Sequence, residues 1–270
     1  MKNIMLWISA VVFVILAIIF AFTDLPIMLK VGNPGSGWGR FMQAYGQLPG
    51  MLVGFFGGSI LLRLTKPGKS FRSVGTAVGF FILTTFLAFG FWGDALGQQI
   101  DAEVNYLLVL GLGVISLLIV QVWFRRIPDQ TMQRYKVFGQ IAVLLFFLAG
   151  LITVWSIKIP WGRWTYRDML EVGDLSIFTP WYLPQGNNGH HSFISGHTAL
   201  AFCVLPVVLL FKENKKHYQI AWTLALIWGV IGAISRVAIG AHFPSDVLFG
   251  GGQTLLWFWK LRQNFLTDSK

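Results

Sequence analysis

The sequence is poor in charged residues. Asp, Glu, Lys and Arg make up only 12% of its 270 residues, about half of the share that is usual in a soluble domain. Hydrophobic residues account for 55%, and the mean hydropathy is +0.63. This composition excludes an ordinary water-soluble globular protein and indicates that lipid surrounds much of the chain.

Cysteine and sequence repeats are also scarce. The single cysteine, Cys203, lies in an apolar run, which excludes an intramolecular disulfide and a cysteine-based zinc site. We interpret it as a packing residue. The sequence has no internal repeat, low-complexity segment or separate soluble domain.

Its net charge of +10 would suggest nucleic acid in a soluble protein, but basic cytoplasmic loops explain it here. We expect no nucleic-acid partner and infer no obligate protein partner.

Several apolar stretches approach the length of about 20 residues that crosses a bilayer as a helix. We therefore predict an all-α, polytopic transmembrane helix bundle with about eight spans, within a range of six to eight. The second and sixth are the weakest, being short or interrupted by Gly and Pro. The first is too long for a signal-peptide core, so we expect it to be retained as an anchor. The predicted spans are 4–22, 41–62, 74–92, 104–124, 137–157, 198–211, 218–235 and 243–260.

The basic residues are distributed unevenly between the two sides of this arrangement. Of the 21 Lys and Arg, 15 fall on the side of the termini: Lys2, Arg63, Lys66, Lys69, Arg72, Arg125, Arg126, Arg134, Lys136, Lys212, Lys215, Lys216, Lys260, Arg262 and Lys270. The opposite side holds Lys30, Arg40, Lys158, Arg163, Arg167 and Arg236, with Asp24, Asp94, Asp101 and Glu103. By the positive-inside rule, this predicts a multi-pass cell-membrane protein with cytoplasmic termini and an outward loop 158–197.

Three polar segments meet the membrane on that outward side. The first follows the fifth span and contains Lys158, Arg163, Arg167 and Asp168. The second, Ser195-Gly196-His197, opens the sixth span, and the third contains Ser235, Arg236, His242 and Asp246 between the last two spans. Fixed positive charges suit a phosphate dianion, and free backbone N–H groups at a helix start favour an anion. The sequence therefore predicts a phosphate site at the outer surface.

The two histidines supply the reactive groups of this site. His242 and Asp246 are spaced i, i+4, so they share a face if a helix begins near Phe243-Pro244. The carboxylate can then keep one imidazole nitrogen protonated and leave the other free to attack. His197 is a second imidazole that can protonate the leaving oxygen. This combination is typical of phosphoryl transfer.

The pattern resembles the type 2 phosphatidic acid phosphatase superfamily, which also includes vanadium-dependent haloperoxidases and the glucose-6-phosphatases. The family pattern is Lys-x6-Arg-Pro, then Pro-Ser-Gly-His, then Ser-Arg-x5-His-x3-Asp. The third part is present in full, and the second has Ile194 in place of Pro. In the first part, Thr165 and Tyr166 stand where Arg and Pro are expected, with Arg163 and Arg167 two residues from Thr165 on either side.

The resemblance implies a bacterial-type membrane phosphatase with no metal or other cofactor. It implies His242 as nucleophile, Asp246 as its partner and His197 as acid, with Ser195, Gly196 and Arg236 binding phosphate. Lys158 is carried over, and Arg163 and Arg167 are both candidates for the remaining phosphate ligand. The resemblance covers about the last 115 residues, so we divide the chain into N-terminal spans of unassigned role, 1–135, and a phosphatase core, 136–270, holding the family's helices.

These residues predict metal-independent hydrolysis of a lipid phosphomonoester or diphosphate in contact with membrane lipids. Polyprenyl diphosphate is the first expectation, with phosphatidate and phosphatidylglycerol phosphate as alternatives. A lipid phosphotransferase would use the same site, whereas a transporter would place its charges along the spans. A metal hydrolase built on His190, His191, His197 and His242 lacks the usual acidic ligands. Individually, Lys158 and Arg163 can anchor a span, Arg236 can be interfacial, and Ser195 can cap a helix.

Overall fold

The structure, a computed structural model, describes residues 2–65, 71–97 and 105–267. Within these ranges the regular elements are helices and no strand occurs. The predicted all-α class is therefore confirmed. Several residues of the charge argument lie outside the described ranges: Lys66, Lys69, Asp101, Glu103 and Lys270.

The helices of the N-terminal part are α1 (Lys2–Val31), α2 (Gly37–Tyr45), α3 (Leu48–Leu64), α4 (Phe71–Gly97) and α5 (Tyr106–Arg125). The first of them is longer than predicted. Its expected end at residue 22 is wrong, because the chain stays helical through Pro26 as far as Val31. Asp24 consequently lies inside a helix and not in a loop. Its charge is compatible with this position because the fold supplies a buried partner, described below.

The C-terminal part contains α6 (Asp129–Arg134), α7 (Lys136–Leu145), α8 (Val154–Trp161), α9 (Tyr166–Val172), α10 (Gly196–Phe202), α11 (Lys215–Ala238) and α12 (Pro244–Thr267). A π-helical stretch, Phe146–Thr153, joins α7 to α8, and a 3₁₀ stretch, Leu205–Phe211, follows α10. The fifth span was predicted to end at residue 157, but α8 continues to Trp161. Lys158 therefore lies within a helix, near its end.

Six described segments are long and apolar enough to cross a membrane, which agrees with the predicted range. They are Trp7–Val31, Gly37–Leu64, Ser73–Leu96, Tyr106–Arg125, Lys136–Val172 and Lys215–Ala238. The sixth predicted span corresponds to a shorter apolar helical segment, Gly196–Phe211, and the eighth corresponds to α12. Many apolar side chains on these segments are exposed, such as Leu107, Phe22 and Trp7. Exposed apolar surface is typical of helices that face lipid.

Close packing of small residues holds the bundle together where lipid removes the usual hydrophobic driving force. Gly57 of α3 faces Gly139 of α7, and a Cβ on either would approach the carbonyl oxygen of the other to about 3 Å (3.1 and 2.9 Å). Elsewhere α4 packs against α3 and α5, α10 packs against α11 and α12, and α1 packs against α12. The N-terminal spans are thus in direct contact with the C-terminal helices.

One end of the bundle gathers the ends of helices from both parts of the chain. The carboxyl ends of α1 and α11 meet there, where the Asn33 amide donates to the Ala238 carbonyl at 2.7 Å. The amino ends of α10 and α12 meet at the same end, where the Ser195 amide donates to the Asp246 carbonyl at 3.0 Å. Helix ends leave backbone groups unpaired and so provide polar atoms at this position.

Candidate active site

The three predicted polar segments come together at this end of the bundle. Lys158 lies near the end of α8, and His197 is in the first turn of α10. Arg236 is in the last turn of α11, whereas His242 lies in the loop before α12. Asp246 belongs to the first turn of α12, which begins at Pro244. The structure therefore places side chains from four separate helices and one loop in a single polar region.

A buried carboxylate, that of Asp246, lies behind the His242 ring, on the side of its Nδ1 atom. Nδ1 of His242 lies 3.5 Å from Oδ2 of Asp246, a residue with no exposed surface. The same Oδ2 accepts hydrogen bonds from Ser192 Oγ at 2.5 Å and from the Phe243 amide at 2.9 Å. These donors hold the carboxylate in one orientation. Because Nδ1 faces Asp246, Nε2 is the nitrogen left for bond formation.

Burial also sets the protonation state of this histidine. His242 is only 6% exposed, and burial lowers its pKa from 6.5 to about 4, although Asp246 acts in the opposite direction. The low-dielectric surroundings disfavour the charged imidazolium. His242 is therefore neutral near pH 7, which is the form that can act as a nucleophile.

His197 lies among the positively charged groups. Burial and the electrostatic effects of Arg236, His242, Lys158 and Arg167 lower the pKa of His197 well below 6.5, so the negative charge of a bound phosphate has to raise it before His197 can donate a proton. Within the described part of the chain, Nε2 of His197 and the Nε and Nη1 atoms of Arg236 are buried without a hydrogen-bond partner. Buried polar atoms are rarely left unpaired. Their convergence is typical of a site that an anionic ligand completes.

Gly196 lies beside the side chain of Lys158. A Cβ on Gly196 would be 3.9 Å from Lys158 Cε, so the start of α10 and this ammonium group border the same space. Lys158 Nζ donates one hydrogen bond to the carbonyl of His191, and an ammonium group has three donors. Ser195 is fully buried and caps α10, accepting from the Thr198 amide at 3.3 Å. The contacts of Ser195 are therefore those of a helix cap.

Arg163 is turned away from this space and lies beneath Asp246. Its Nη1 donates to Asp246 Oδ1 at 2.5 Å and to Ser245 Oγ at 2.9 Å, and its Nη2 donates to Asp24 Oδ2 at 2.9 Å. Its Nε donates to the Thr179 carbonyl at 2.9 Å. The side chain is only 1% exposed. The guanidinium proposed from sequence as a phosphate ligand therefore binds the carboxylate that backs His242.

A left-handed glycine redirects the chain so that Arg163 can reach this position. Gly162 ends α8 with φ +56°, and its carbonyl accepts from Asn188 Nδ2 at 2.7 Å. A side chain at Gly162 would also collide with the Gly186 carbonyl. Residues 162–165 are not helical, so Arg163 leaves the direction of α8 and points beneath α12.

Arg167 is the flanking arginine that faces the polar region. It lies in the first turn of α9 and acts electrostatically on both His197 and Arg236. Its side chain donates a hydrogen bond to Gln43 Oε1, which is long at 3.3 Å. Thr165, at the family's arginine position, instead caps α9 by accepting from the Asp168 amide at 3.1 Å. The structure thus separates the two arginines that sequence left as alternatives.

Several contacts in this region were not foreseen. Asp24 of α1 is 1% exposed and accepts from Arg163 and from the Ser245 amide. Asp94 of α4 is hydrogen-bonded to Gln47 and acts electrostatically on Arg236. Both could have been foreseen from the sequence, because a single carboxylate next to a long apolar run indicates a function or a buried partner.

The two neighbouring loop histidines have aromatic partners. The His190 ring stacks on Trp164 with centroids 3.3 Å apart and lies 4.0 Å from Asp168. The His191 ring packs edge-on to Trp155 at 6.0 Å. Among residues 2–65, 71–97 and 105–267, no three His, Cys, Asp or Glu side chains are grouped so as to hold a metal ion.

Comparisons with known proteins find a matching family and several similar phosphatases. Residues 140–267 match the family described as the PAP2 superfamily. Phosphatidylglycerophosphatase B of Bacillus subtilis is 35% identical over 88 residues, which are 31% of this chain and 43% of that protein. Lipid A 4'-phosphatase of Francisella tularensis subsp. novicida is 30% identical over 113 residues, covering 41% and 50%. Undecaprenyl-diphosphatase of Sulfolobus acidocaldarius is 31% identical over 100 residues, covering 37% and 46%.

The chain thus spans about half the length of the curated relatives it matches. No solved structure matches it significantly. The matched region contains Lys158, His197, Arg236, His242 and Asp246, whereas Asp24, Gln43 and Asp94 lie outside it.

Proposed function

Since the C-terminal half of the chain is a domain of the PAP2 superfamily, we propose that the protein hydrolyses a lipid phosphomonoester or diphosphate through a phosphohistidine on His242. One observation carries the proposal. The His242 imidazole lies against the buried carboxylate of Asp246 and beside a second imidazole, that of His197, and the cations next to them include Arg236, whose Nε and Nη1 have no hydrogen-bond partner in the described part of the chain. Such a group combines a nucleophile, an acid and an anion site.

The first half-reaction transfers the phosphoryl group to the enzyme. Nε2 of His242 attacks phosphorus as the bond from phosphorus to the leaving oxygen breaks, and His197 donates a proton to that oxygen. Asp246 stabilises the positive charge that develops on the His242 ring. Lys158, Arg167 and Arg236 stabilise the equatorial oxygens, whose charge must be met in the transition state.

The second half-reaction releases phosphate. Water attacks phosphorus as the bond to His242 Nε2 breaks, and His197, now neutral, accepts the proton of the attacking water. The ring of His242 returns to its neutral form with Nδ1 still facing Asp246. The cycle leaves both histidines as they began and yields an alcohol, or a lipid monophosphate from a diphosphate, together with inorganic phosphate.

The charge distribution supports an outward-facing site. Arg63, Asp129 and the carbonyl of Phe124 meet at the end of the bundle opposite His242. The predicted spans assign most of the basic residues to that side, and basic loops favour the cytoplasmic side. Both termini would then be cytoplasmic, and the substrate would be a lipid exposed on the outer leaflet.

The substrate class follows from chemistry shared by the relatives. Their names specify a phosphatidylglycerophosphate, a lipid A 4'-phosphate and an undecaprenyl diphosphate, which all combine phosphate with a lipid. Next to Lys158, the side chains of Trp155 and Ile159 are about half exposed and provide an apolar surface for a lipid tail. Polyprenyl diphosphate remains our first candidate, ahead of phosphatidate and phosphatidylglycerol phosphate.

Phosphate release from a panel of these lipids by the purified protein in detergent tests the proposal. We expect release to persist in excess chelator, to be inhibited by vanadate, whose trigonal-bipyramidal form resembles the transferring phosphoryl group, and to be lost in His242→Ala. His217→Ala is the matched control, since His217 is exposed at the start of α11, at the other end of the helix from Arg236.

Wild-type turnover in His242→Ala would contradict the phosphohistidine, and loss of activity in chelator that a divalent ion restores would contradict metal independence. Phosphoryl transfer to an added alcohol in preference to water would favour the phosphotransferase alternative.

A further inference from the structure

Asp24 joins the first helix to the carboxylate that backs the nucleophile. Its Oδ2 accepts from Arg163 Nη2 at 2.9 Å, and Nη1 of the same guanidinium donates to Asp246 Oδ1 at 2.5 Å. Arg163, Asp24 and Asp246 are each no more than 1% exposed. Asp24 also lies outside the region matched to the family, which begins at residue 140.

Asp24 also binds the first turn of α12. Its Oδ1 accepts from the Ser245 amide at 2.9 Å, and its Oδ2 accepts from Ser245 Oγ. The first amide groups of a helix have no partner within the helix, so a carboxylate from another element can satisfy one of them. Because Ser245 immediately precedes Asp246, this contact fixes the backbone from which the Asp246 side chain projects.

Asp24 also affects the electrostatics of the group that it forms with Arg163 and Asp246. One guanidinium lies between two buried carboxylates, so its positive charge is shared between them. If Asp24 were neutral, the full charge of Arg163 would act on Asp246 and weaken the attraction between Asp246 and the His242 ring. A planar guanidinium can bridge the two carboxylates through separate nitrogens, which an ammonium group cannot do.

We propose that Asp24 is a positioning residue of the active site, acting through Arg163 and Ser245 on the orientation and charge of Asp246. The first helix is then part of the catalytic unit, although it lies outside the family domain. This inference rests on the proposed function, because it assumes that Asp246 supports a positively charged His242 ring in the transition state.

Asp24→Asn tests the inference because it keeps the side-chain size and removes the charge. We expect kcat to fall by roughly 10- to 100-fold, the scale known for residues that hydrogen-bond to metal-binding side chains and orient them in the same way. The affinity for vanadate, which mimics the transition state and bonds to His242, should fall by a similar factor. KM and the inhibition constant of inorganic phosphate should change by less than about twofold, because Asp24 does not face the phosphate region.

A purely structural role would have different consequences. It would reduce the yield or the thermal midpoint but would leave kcat per folded molecule and vanadate affinity unchanged. Thr23→Val is the matched control, because the Thr23 hydroxyl donates within α1, to the Ile19 carbonyl at 2.9 Å. Asp24→Glu restores the charge and should recover part of the lost kcat.

Ser245→Ala gives a second test that does not depend on folding of the Asp24 variants. It removes hydroxyl contacts to Asp24 and Arg163 but keeps the ion pairs, so we expect a smaller fall in kcat with unchanged KM. Wild-type kcat and vanadate affinity in Asp24→Asn would overturn the inference while leaving the proposed function intact. An inactive wild-type protein, or an active His242→Ala variant, would instead contradict the proposed function.

Discussion

Asp24 in the first helix and Asp246 in the last are bound by the same guanidinium, that of Arg163, at 2.9 and 2.5 Å. Neither carboxylate has more than 1% of its surface exposed. The buried guanidinium of Arg163 thus links α1 to α12, next to the carboxylate that contacts His242. This arrangement makes the two arginines of the irregular first motif chemically different, so their substitutions should have distinguishable effects.

Arg163→Ala should destabilise the protein. It leaves two buried carboxylates without their cation, and removal of one partner from a buried pair costs about 3–5 kcal/mol. We expect a clear fall in the thermal midpoint in detergent together with loss of turnover. Arg163→Lys should be intermediate, because an ammonium group keeps the charge but must reach both carboxylates from a single nitrogen. An Arg163→Ala variant with wild-type stability would show that Asp24, Arg163 and Asp246 are not buried together as described.

Arg167→Ala should lower turnover by roughly 10²-fold or more, the scale seen when one preorganised charge donor is lost. Its thermal midpoint should stay near that of the wild type, because the hydrogen bond from the Arg167 side chain to Gln43 is long, and the backbone bond from Arg167 to the Gly240 carbonyl is kept. Steady-state kinetics and thermal unfolding of the same preparation separate the two effects. Arg40→Ala serves as the control, since Arg40 is exposed and its Nε donates to the Pro34 carbonyl, a neighbour in the same turn, outside the polar region. Near-normal turnover in Arg167→Ala would remove this residue from the phosphate site.

The acid limb of kcat/KM should lie well below pH 6.5. Burial lowers the pKa of His242 to about 4, so the neutral nucleophile persists as the pH falls and is lost only near that value. A profile of kcat/KM reports ionisation in the free enzyme. Two substrates whose phosphates differ in pKa should share this limb if it belongs to His242. A shared limb near pH 6.5 would contradict the burial effect.

His197→Ala should affect poor leaving groups more than good ones. A general acid contributes roughly 10²- to 10⁴-fold where the departing oxygen is basic. We therefore expect a large loss with a lipid alkyl phosphate and a smaller loss with a nitrophenyl phosphate, measured as kcat/KM under the same conditions. Equal losses with both substrates would assign His197 to binding and not to proton transfer.

Site-directed labelling tests the orientation of the bundle. A cysteine at Asn187 should react with an impermeant maleimide in intact cells, whereas one at Gln130 should not. Both positions are exposed, and Asn187 is preferable to its neighbour because Asn188 bonds to the Gly162 carbonyl. The wild-type protein provides the background, since Cys203 is only 1% exposed. The reverse labelling would place the site on the cytoplasmic side and change the choice of substrate.

Local pattern determined much of this protein. Long apolar runs predicted the helical, multi-pass class, because a chain in lipid must satisfy its backbone hydrogen bonds within each segment. The spacing of His242 and Asp246 predicted their contact once Pro244 began the helix. These conclusions depend on residues close together in the chain, where helix geometry alone sets the distances.

Only the tertiary structure decided which partners the isolated charges have. Arg163 and Arg167 are equivalent by spacing from Thr165, but a left-handed turn at Gly162 directs one beneath Asp246 while α9 presents the other to His197. The predicted spans place Asp24 after the first span, but α1 continues past it and brings it into contact with Arg163. The physical reason is that a buried charge must find a counter-charge, and a counter-charge far away in the chain is found only when the helices pack.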